Sequence, residues 1–160
     1  MIDQFRGPHD WLSNFFQREI KIGVYTFPSA EHMFAAAKTA DMEWQQTIIQ
    51  AATPAEAKKL GRQCPIVPNW DATRVHVMAY ILFQKFYQHA DLRQQLINTS
   101  PQYLEEGNWW HDNFWGNCKF TYNFQATPCT RCAGITGKNK LGWLLMATRD
   151  YFITFSSINA

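Results

Sequence analysis

The sequence predicts a mainly helical α+β protein with a short β element near its N-terminus. After residue 29, apolar side chains recur at helical spacing, and residues that favour helix starts precede them. Before that point, polar and apolar residues alternate through residues 19–25, a pattern typical of a hairpin arm. The helices therefore supply most of the expected fold.

Each predicted helix has a recognisable start. Ser29 is expected to cap the first, and Thr53 precedes a proline that suits the first position of the third, which Gly61 ends. Asn69 or Asp71 is expected to cap the longest helix. Residues 1–28 are predicted to form short strands and turns, residues 104–137 an irregular aromatic-rich stretch, and residues 151–160 a tail that packs back on the domain. The predicted helices lie at about 30–40, 42–51, 54–60, 71–89, 92–98 and 139–150.

Composition narrows the possible classes of protein. The 160 residues fit one domain over 1–160, and the 16% aromatic content can fill a core and line a pocket. The net charge of +2 does not indicate nucleic-acid binding. No apolar run reaches the length of a membrane span and no signal-peptide pattern opens the chain, so a cytoplasmic location is expected.

The first predicted helix carries a carboxylate and an amine on one face. Glu31 and Lys38 are seven residues apart, which places them on the same side of a helix, about 10 Å apart along its axis. The residues between them are mostly apolar, so this face is expected to be buried, and a buried charge needs a partner or a chemical role. The alternatives are a lysine that extends to solvent and a first-turn acid that interacts with the helix dipole.

Several ordered segments resemble one family, the NADAR family, also called the YbiA-like family. The match runs from about residue 5 to residue 149. No single segment is specific for the family, but the order and spacing of the whole set are. The segments are Leu12-Ser13-Asn14-Phe15, Ser29-Ala30-Glu31-His32, Ala37-Lys38, Lys59-Leu60-Gly61-Arg62, Trp115-Gly116 and Gly137-Lys138-Asn139-Lys140-Leu141-Gly142, with Asn69-Trp70, Met78, Lys85-Phe86 and Leu92-Arg93 between them.

The resemblance implies an N-glycosidase of the YbiA-like fold. Its substrates would be early riboflavin-pathway intermediates or, as in another branch of the family, ADP-ribose attached to guanine. The family lysine, thought to form a Schiff base with the anomeric carbon, matches Lys38. The acidic helix position matches Glu31, and the family's Asp-x-x-Trp-Gly motif matches residues 112–116.

N-glycosidic cleavage needs groups of this kind. Glu31 and Asp112 could act as the acid and base of a two-carboxylate mechanism. A lysine nucleophile works only as the neutral amine; burial lowers its pKa, whereas a nearby Glu31 raises it. Asp112 could equally cap a turn.

Substrate binding would involve cations and backbone amides at the phosphate. Arg6, Arg62, Lys138 and Asn139 are the residues predicted for this role. The last two precede a helix, where free N–H groups attract anions. A helix start that is simply exposed to solvent would have the same sequence pattern.

The rest of the substrate would be bound by an amide and an aromatic ring. Asn14 could bond a ribose hydroxyl or hold a turn. Trp115 could stack on a base, with Gly116 allowing close backbone approach; the alternative is a core tryptophan.

A cysteine-containing insertion is predicted at about 117–136. Cys118, Cys129 and Cys132 have spacing compatible with a structural zinc site, with His111 or Cys64 as the fourth ligand; ordinary thiols are the alternative. Catalysis itself is expected to need no cofactor.

Three classes of function remain to be compared. The first is the enzyme, acting on a small nucleotide-like substrate or on ADP-ribosylated nucleic acid. The second is a module that binds ADP-ribose or NAD without turnover; the retained lysine and acids favour the enzyme. A nucleic-acid partner protein that uses the cysteine-rich loop is disfavoured by the low net charge. No membrane partner is expected, and the sequence does not determine an oligomeric state.

Overall fold

The structure is a computed structural model that describes residues 1–119, 121–122, 127–128, 130–132 and 135–158. Its internal contacts divide the chain into two compact units, Asp10–Arg93 and Met1–His9 together with Gln94–Ala160. The elements confirm the predicted mainly helical α+β class. None of the helices described is both long enough and apolar enough to span a bilayer.

The β element of the Asp10–Arg93 unit is a hairpin. Strand β1 (Gln17–Ile22) pairs antiparallel with β2 (Tyr25–Ser29), as the alternating pattern predicts. The tight turn between them uses Gly23 with φ +57°, a conformation that costs glycine little. Before the hairpin, where short strands and turns are predicted, the chain forms a short 3-10 helix over Gly7–Leu12.

Four helices follow, and side chains cap the first three. They are α1 (Ala30–Ala36), α2 (Met42–Ile49), α3 (Pro54–Leu60) and α4 (Trp70–Gln88). Ser29 accepts from the His32 N–H, and Thr53 accepts from the Glu56 N–H, as their positions predict. Asn69 precedes α4 in a left-handed conformation and makes no side-chain cap hydrogen bond.

Helix α1 is shorter than predicted, and this matters for the site. It ends at Ala36, so the prediction that Lys38 lies within the helix is wrong. The Lys38 N–H donates to the Ala35 carbonyl, and the Lys38 carbonyl accepts from the Val67 N–H at 2.8 Å. The Lys38 carbonyl, which a longer helix would use for its own hydrogen bonds, is thus bonded to a residue distant in the chain.

The core of this unit holds α1 against α3 and α4. Leu12, Ile20, Ile81 and Phe86 are fully buried. A Cβ on Gly61 would lie 2.8 Å from the Ala35 Cβ, so only glycine permits this approach of α3 to α1. The close packing brings the end of α3 to the turn that carries Lys38.

The other unit contains most of one helix, all of a second, and short paired strands. Helix α5 (Ala90–Asn98) crosses the boundary between the units and begins two residues before its predicted start. Strands β3 (Gly107–Asn108) and β4 (Asn117–Cys118) pair in parallel; β5 (Thr121–Tyr122) and β6 (Thr127–Pro128) pair antiparallel. Helix α6 (Lys140–Ile158) includes most of the predicted C-terminal tail, because Phe152 continues its buried face.

Candidate functional site

Lys38 is half-buried in the turn after α1. Its Nζ lies 5.5 Å from the centroid of the Phe34 ring, and that ring packs against Trp70 with centroids 5.2 Å apart. Phe34 is buried and Trp70 half-buried. The amine therefore projects along an aromatic surface rather than into open solvent.

Burial lowers the pKa of the Lys38 amine below its ordinary value. Removal of water is the largest cause; the Glu31 carboxylate and the Cys64 thiol oppose it, and the Arg62 and Lys58 cations reinforce it. The direction is the one that a lysine nucleophile requires, since only the neutral amine can attack.

Glu31 lies in the first turn of α1, with only 7% of its surface exposed. Its position near the helix N-terminus stabilises a carboxylate through the helix dipole. The next residue, His32, is tied down: its ring pairs with the Ser29 hydroxyl at 2.8 Å and with the Ala51 carbonyl at 3.1 Å. These two bonds fix the orientation of the His32 ring.

Asn14 is joined to the same helix start. Its carbonyl accepts from the Glu31 N–H at 3.0 Å, and its side-chain amide donates to the Met78 sulfur at 3.3 Å. The side chain is buried, and among the described residues no donor bonds its Oδ1. An unsatisfied buried amide oxygen is costly, and a hydrogen bond to this atom would offset that cost.

A fully buried lysine fixes the segment that carries Asn14. Lys85 on α4 donates from Nζ to the carbonyls of Trp11, at 2.7 Å, and Ser13, at 2.8 Å. Burial lowers the pKa of Lys85 to about 7, and the Asp10 carboxylate opposes this effect. A neutral amine has two N–H donors, which match the two carbonyls.

Two further cations lie around Lys38. Arg62 is exposed just after α3, and Lys58 is half-buried on α3 with its Nζ 5.4 Å from the Phe15 ring centroid. Both act electrostatically on Lys38. The carboxylate of Glu31 is thus accompanied by the Lys38 amine and two cationic side chains, a balance that suits an anionic ligand.

A cavity of about 140 Å³ lies on the opposite face of α1, between that helix, α2 and the hairpin. Its lining is mostly apolar, and neither Glu31 nor Lys38 contributes to it. The lining residues are Ile22, Tyr25, Phe27, Met33, Ala36, Ala37, Gln45 and Ile49.

The other unit contains the remaining predicted residues, and Asp112 there acts as a turn cap. Its Oδ1 accepts from the N–H groups of Phe114, at 3.0 Å, and Trp115, at 2.9 Å. This geometry corresponds to the structural alternative, and a catalytic role of Asp112 stays a prediction.

Trp115 and Gly116 are packed within their own unit. The Trp115 ring is half-buried and meets Phe114 edge to face, with centroids 5.0 Å apart. A Cβ on Gly116 would lie 2.2 Å from the Glu106 carbonyl oxygen. The close approach expected of Gly116 is therefore made by the protein's own backbone.

The predicted anion site before α6 is already occupied by backbone carbonyls. The N–H groups of residues 138–141 donate to the carbonyls of residues 113–116, at 2.9–3.2 Å. The Asn139 side chain accepts from the Glu106 N–H and donates to the Leu104 carbonyl and the Tyr103 hydroxyl. The expectation of free N–H groups here is wrong, since tertiary contacts satisfy them; Lys138 is exposed, with its Nζ 5.7 Å from the Phe114 ring centroid.

Arg6 lies against two exposed indoles. Its guanidinium carbon is 5.1 Å from the Trp109 ring centroid and 4.8 Å from that of Trp110, a cation–π arrangement. Its predicted contact with substrate phosphate stays a prediction.

Two of the predicted zinc ligands lie together. The sulfurs of Cys118 and Cys132 are each 3.6 Å from Nδ1 of His111, the proposed alternative fourth ligand. Cys129 lies outside the described residues. Cys64 belongs to the Asp10–Arg93 unit, where its buried thiol donates to the Gly61 carbonyl and burial raises its pKa.

Sequence reasoning missed the roles of Lys58 and Lys85. Lys85 follows Met78 and Leu82 at helical spacing, which could have indicated a buried lysine. No local pattern marks Lys58, since its relation to Lys38 arises from the packing of α3 against α1.

Structural comparison places the chain in a fold class. It matches the NMR structure of the Escherichia coli protein YbiA with a TM-score of 0.78, covering 98% of this chain and 89% of that one at 30% identity. The protein thus has the YbiA-like α+β fold that its motifs predict.

Sequence comparison then defines the family. The family model described as the NADAR domain matches residues 3–153, and the chain therefore belongs to the NADAR family. N-glycosidase YbiA of Shigella flexneri is 35% identical over 145 residues, covering 87% of this chain and 79% of the relative. Riboflavin biosynthesis protein VVA0006 of Vibrio vulnificus is 31% identical over 144 residues, which cover 89% of this chain and 35% of that protein.

Proposed function

We propose that this protein is an N-glycosidase that cleaves the bond between a base or amine and C1′ of a phosphorylated ribose. The observation that carries the proposal is the half-buried Lys38, whose amine has a lowered pKa beside the buried Glu31. The similarity to proteins named N-glycosidase supports the same reaction class.

In the proposed mechanism, the neutral Lys38 amine attacks C1′ of the ribose. As the C1′–N bond breaks, the attacking amine gives up a proton to the Glu31 carboxylate, and Glu31 passes that proton to the leaving base or amine. Opening of the sugar ring gives a Schiff base between Lys38 and C1′. Addition of water then returns the free amine and releases the sugar as its aldehyde.

The charges around Lys38 support a phosphorylated substrate. Arg62 and Lys58 are the proposed phosphate contacts, and the buried Oδ1 of Asn14 would accept a bond from a ribose hydroxyl. Each charge-assisted hydrogen bond is worth about 1.5–3 kcal/mol. Arg62→Ala should therefore raise KM by about tenfold to a hundredfold. Lys59→Ala removes an exposed charge on α3, three residues before Arg62, and should leave KM nearly unchanged.

We favour a ribosylated riboflavin-pathway intermediate as the substrate, because one relative is named a riboflavin biosynthesis protein. ADP-ribosylated guanine is the competing substrate. A third outcome is a binding module for ADP-ribose or NAD, which would use the same cations without turnover.

Incubation with each substrate, with the release of ribose phosphate or ADP-ribose measured, separates these outcomes. Borohydride reduction during turnover should add the sugar to a peptide that contains Lys38, as mass spectrometry would detect. Lys38→Arg keeps the positive charge but should lose both turnover and adduct, whereas Lys59→Arg should keep both. Binding of ADP-ribose without turnover of any substrate would overturn the enzyme proposal.

A further inference from the structure

Two cysteines of the insertion and a histidine just before it form a cluster that could ligate a metal: His111, Cys118 and Cys132. One donor atom from each lies within 4.8 Å of the other two. Cys132 is buried, and the other two are half-buried. The cluster belongs to the unit that does not contain Lys38, and its argument is independent of the proposed function.

The two sulfur-to-nitrogen distances fit a tetrahedral zinc ion. Bond lengths of about 2.3 Å to sulfur and 2.0–2.1 Å to nitrogen, at a tetrahedral angle, place sulfur and nitrogen about 3.6 Å apart. Both sulfur-to-Nδ1 distances are 3.6 Å. A thiol–imidazole hydrogen bond accounts for one such contact but not for both, because Nδ1 has either one proton or one lone pair.

The backbone presents His111 at a conformational cost. Its φ is +68°, a left-handed value that is uncommon for residues other than glycine, although histidine adopts it more often than most. The loop before it is closed by two reciprocal bonds: Asn108 donates to the Asp112 carbonyl at 2.7 Å, and the Asp112 N–H donates to Asn108 Oδ1 at 3.0 Å. Backbone strain that the surroundings hold in place is characteristic of functional positions.

Three separate segments converge on this point. His111 follows β3, Cys118 ends β4, and Cys132 ends a 3-10 turn over Thr130–Cys132. The pairing of Asn108 with Cys118 in the parallel ladder brings the first two together. The Cys118 N–H also donates to Asn113 Oδ1 at 2.9 Å, which orients the start of the insertion.

We propose that His111, Cys118 and Cys132 bind a structural zinc ion that ties the cysteine-containing insertion to the β3–β4 pair. Two thiolates and one imidazole supply three of the four ligands of a tetrahedral zinc ion, and thiolates favour zinc over magnesium or calcium. Cys129, the remaining cysteine of the insertion, lies outside the described residues. The ion closes the chain between Cys118 and Cys132 and thereby reduces the conformational freedom of the unfolded protein. Oxidation of the two thiols to a disulfide is the competing state.

Metal analysis of the full chain, purified under reducing conditions without added zinc or chelator, tests the proposal. We expect one zinc per chain, and a lower Tm after chelation that returns when zinc is restored. Cobalt(II) exchanged into the site should give thiolate-to-cobalt charge-transfer bands and the visible absorption of a tetrahedral complex.

Variants then identify the ligands. Cys118→Ser and Cys132→Ser should each weaken the charge-transfer bands, and His111→Ala should alter the visible bands. Cys64→Ser is the matched control and should change neither the spectrum nor the zinc content. The cobalt spectra are recorded only on variants that fold. If a variant fails to fold, the zinc content of the wild-type protein still tests the proposal.

Three results would overturn the proposal. One is protein that contains no zinc and gives no cobalt charge-transfer bands under reducing conditions. Another is a Cys118–Cys132 disulfide in protein isolated from the reducing cytoplasm of the expression host and alkylated at lysis. The third is zinc content that falls in Cys64→Ser as much as in Cys118→Ser.

Discussion

The Glu31 carboxylate raises the pKa of the Lys38 amine, but burial of that amine lowers the pKa by more. The negative charge of Glu31 favours the protonated amine, whereas loss of water around the amine disfavours it. The two residues therefore do not behave as a simple ion pair. The acid stays close enough to influence the amine, and the amine remains easier to deprotonate than an exposed lysine.

Replacing Glu31 with Gln should make Lys38 more reactive towards amine reagents. The neutral amide removes the main influence that raises the pKa of Lys38, so more of the amine is uncharged at a given pH. Labelling of Lys38 by an acylating reagent at pH 8, measured by peptide mass spectrometry with exposed Lys59 as internal reference, should be faster than in wild type. Glu43→Gln, an exposed acid on α2, is the control. Slower labelling in Glu31→Gln would contradict this description of the pair.

Replacing Lys58 with Gln should have the opposite effect. The Lys58 cation lowers the pKa of Lys38, and without it the protonated form of Lys38 is favoured. Labelling of Lys38 at pH 8 should slow, while the neighbouring exposed substitution Lys59→Gln should leave it unchanged. Equal effects of the two substitutions would mean that general surface charge, rather than local geometry, sets the reactivity.

Lys85 should make the protein more stable as the pH rises from about 7 to about 10. In this range the unfolded lysine, with an ordinary pKa near 10, binds a proton that the folded one, with a pKa of about 7, does not. Folding is therefore increasingly penalised as the pH falls through this window, and the penalty is complete below about pH 7. Lys85→Met should remove this slope, which amounts to about 1–3 kcal/mol between pH 7 and pH 9.

Urea unfolding of wild type and Lys85→Met at both pH values measures that difference directly. Because other groups titrate in both proteins, the relevant quantity is the change in their stability difference with pH. A constant difference would show that Lys85 has the same protonation state folded and unfolded. Lys140→Met, a substitution of a half-buried lysine at the start of α6, is the control.

Asn139→Ala should destabilise the fold rather than weaken substrate binding alone. The buried side chain bonds the Glu106 N–H, the Leu104 carbonyl and the Tyr103 hydroxyl, and its φ of 46° is left-handed. Loss of these bonds should cost about 2–4 kcal/mol in the free energy of unfolding. Asn139→Gly, which tolerates the backbone conformation, should lose about 1 kcal/mol less.

Chemical denaturation of these variants separates the two explanations. The exposed neighbour Lys138 provides the control, since Lys138→Ala should change stability by less than about 0.5 kcal/mol. An Asn139→Ala protein of wild-type stability with a raised KM would favour the predicted substrate contact instead.

Local patterns predicted the helices well where a cap or a breaker fixes an end. Ser29 and Thr53 cap the helices that they were expected to cap, because a side-chain oxygen beside free N–H groups is a local arrangement. The end of α1 was predicted too late, since it depends on the bond between the Lys38 carbonyl and the Val67 N–H. The spacing of apolar residues along a helix carries no information about a hydrogen bond to a residue so distant in the chain.

The candidate site shows the same division. The ordered motifs identified Glu31, Lys38 and Arg62, which lie in one unit and interact electrostatically. Asn139 fitted the anion-binding pattern equally well, yet its hydrogen bonds are made within the protein. Whether a polar group near a helix start is free for a ligand depends on what packs against it.

The sequence by itself determined the fold class, the family and the residue types at the proposed site, because periodicity, capping and motif order are written along the chain. Only the tertiary structure decided that Lys38 is half-buried, that Lys85 is fully buried, and that His111 meets Cys118 and Cys132. These are properties of segments far apart in sequence. Desolvation and ligand geometry depend on where such segments meet, and that is set by packing.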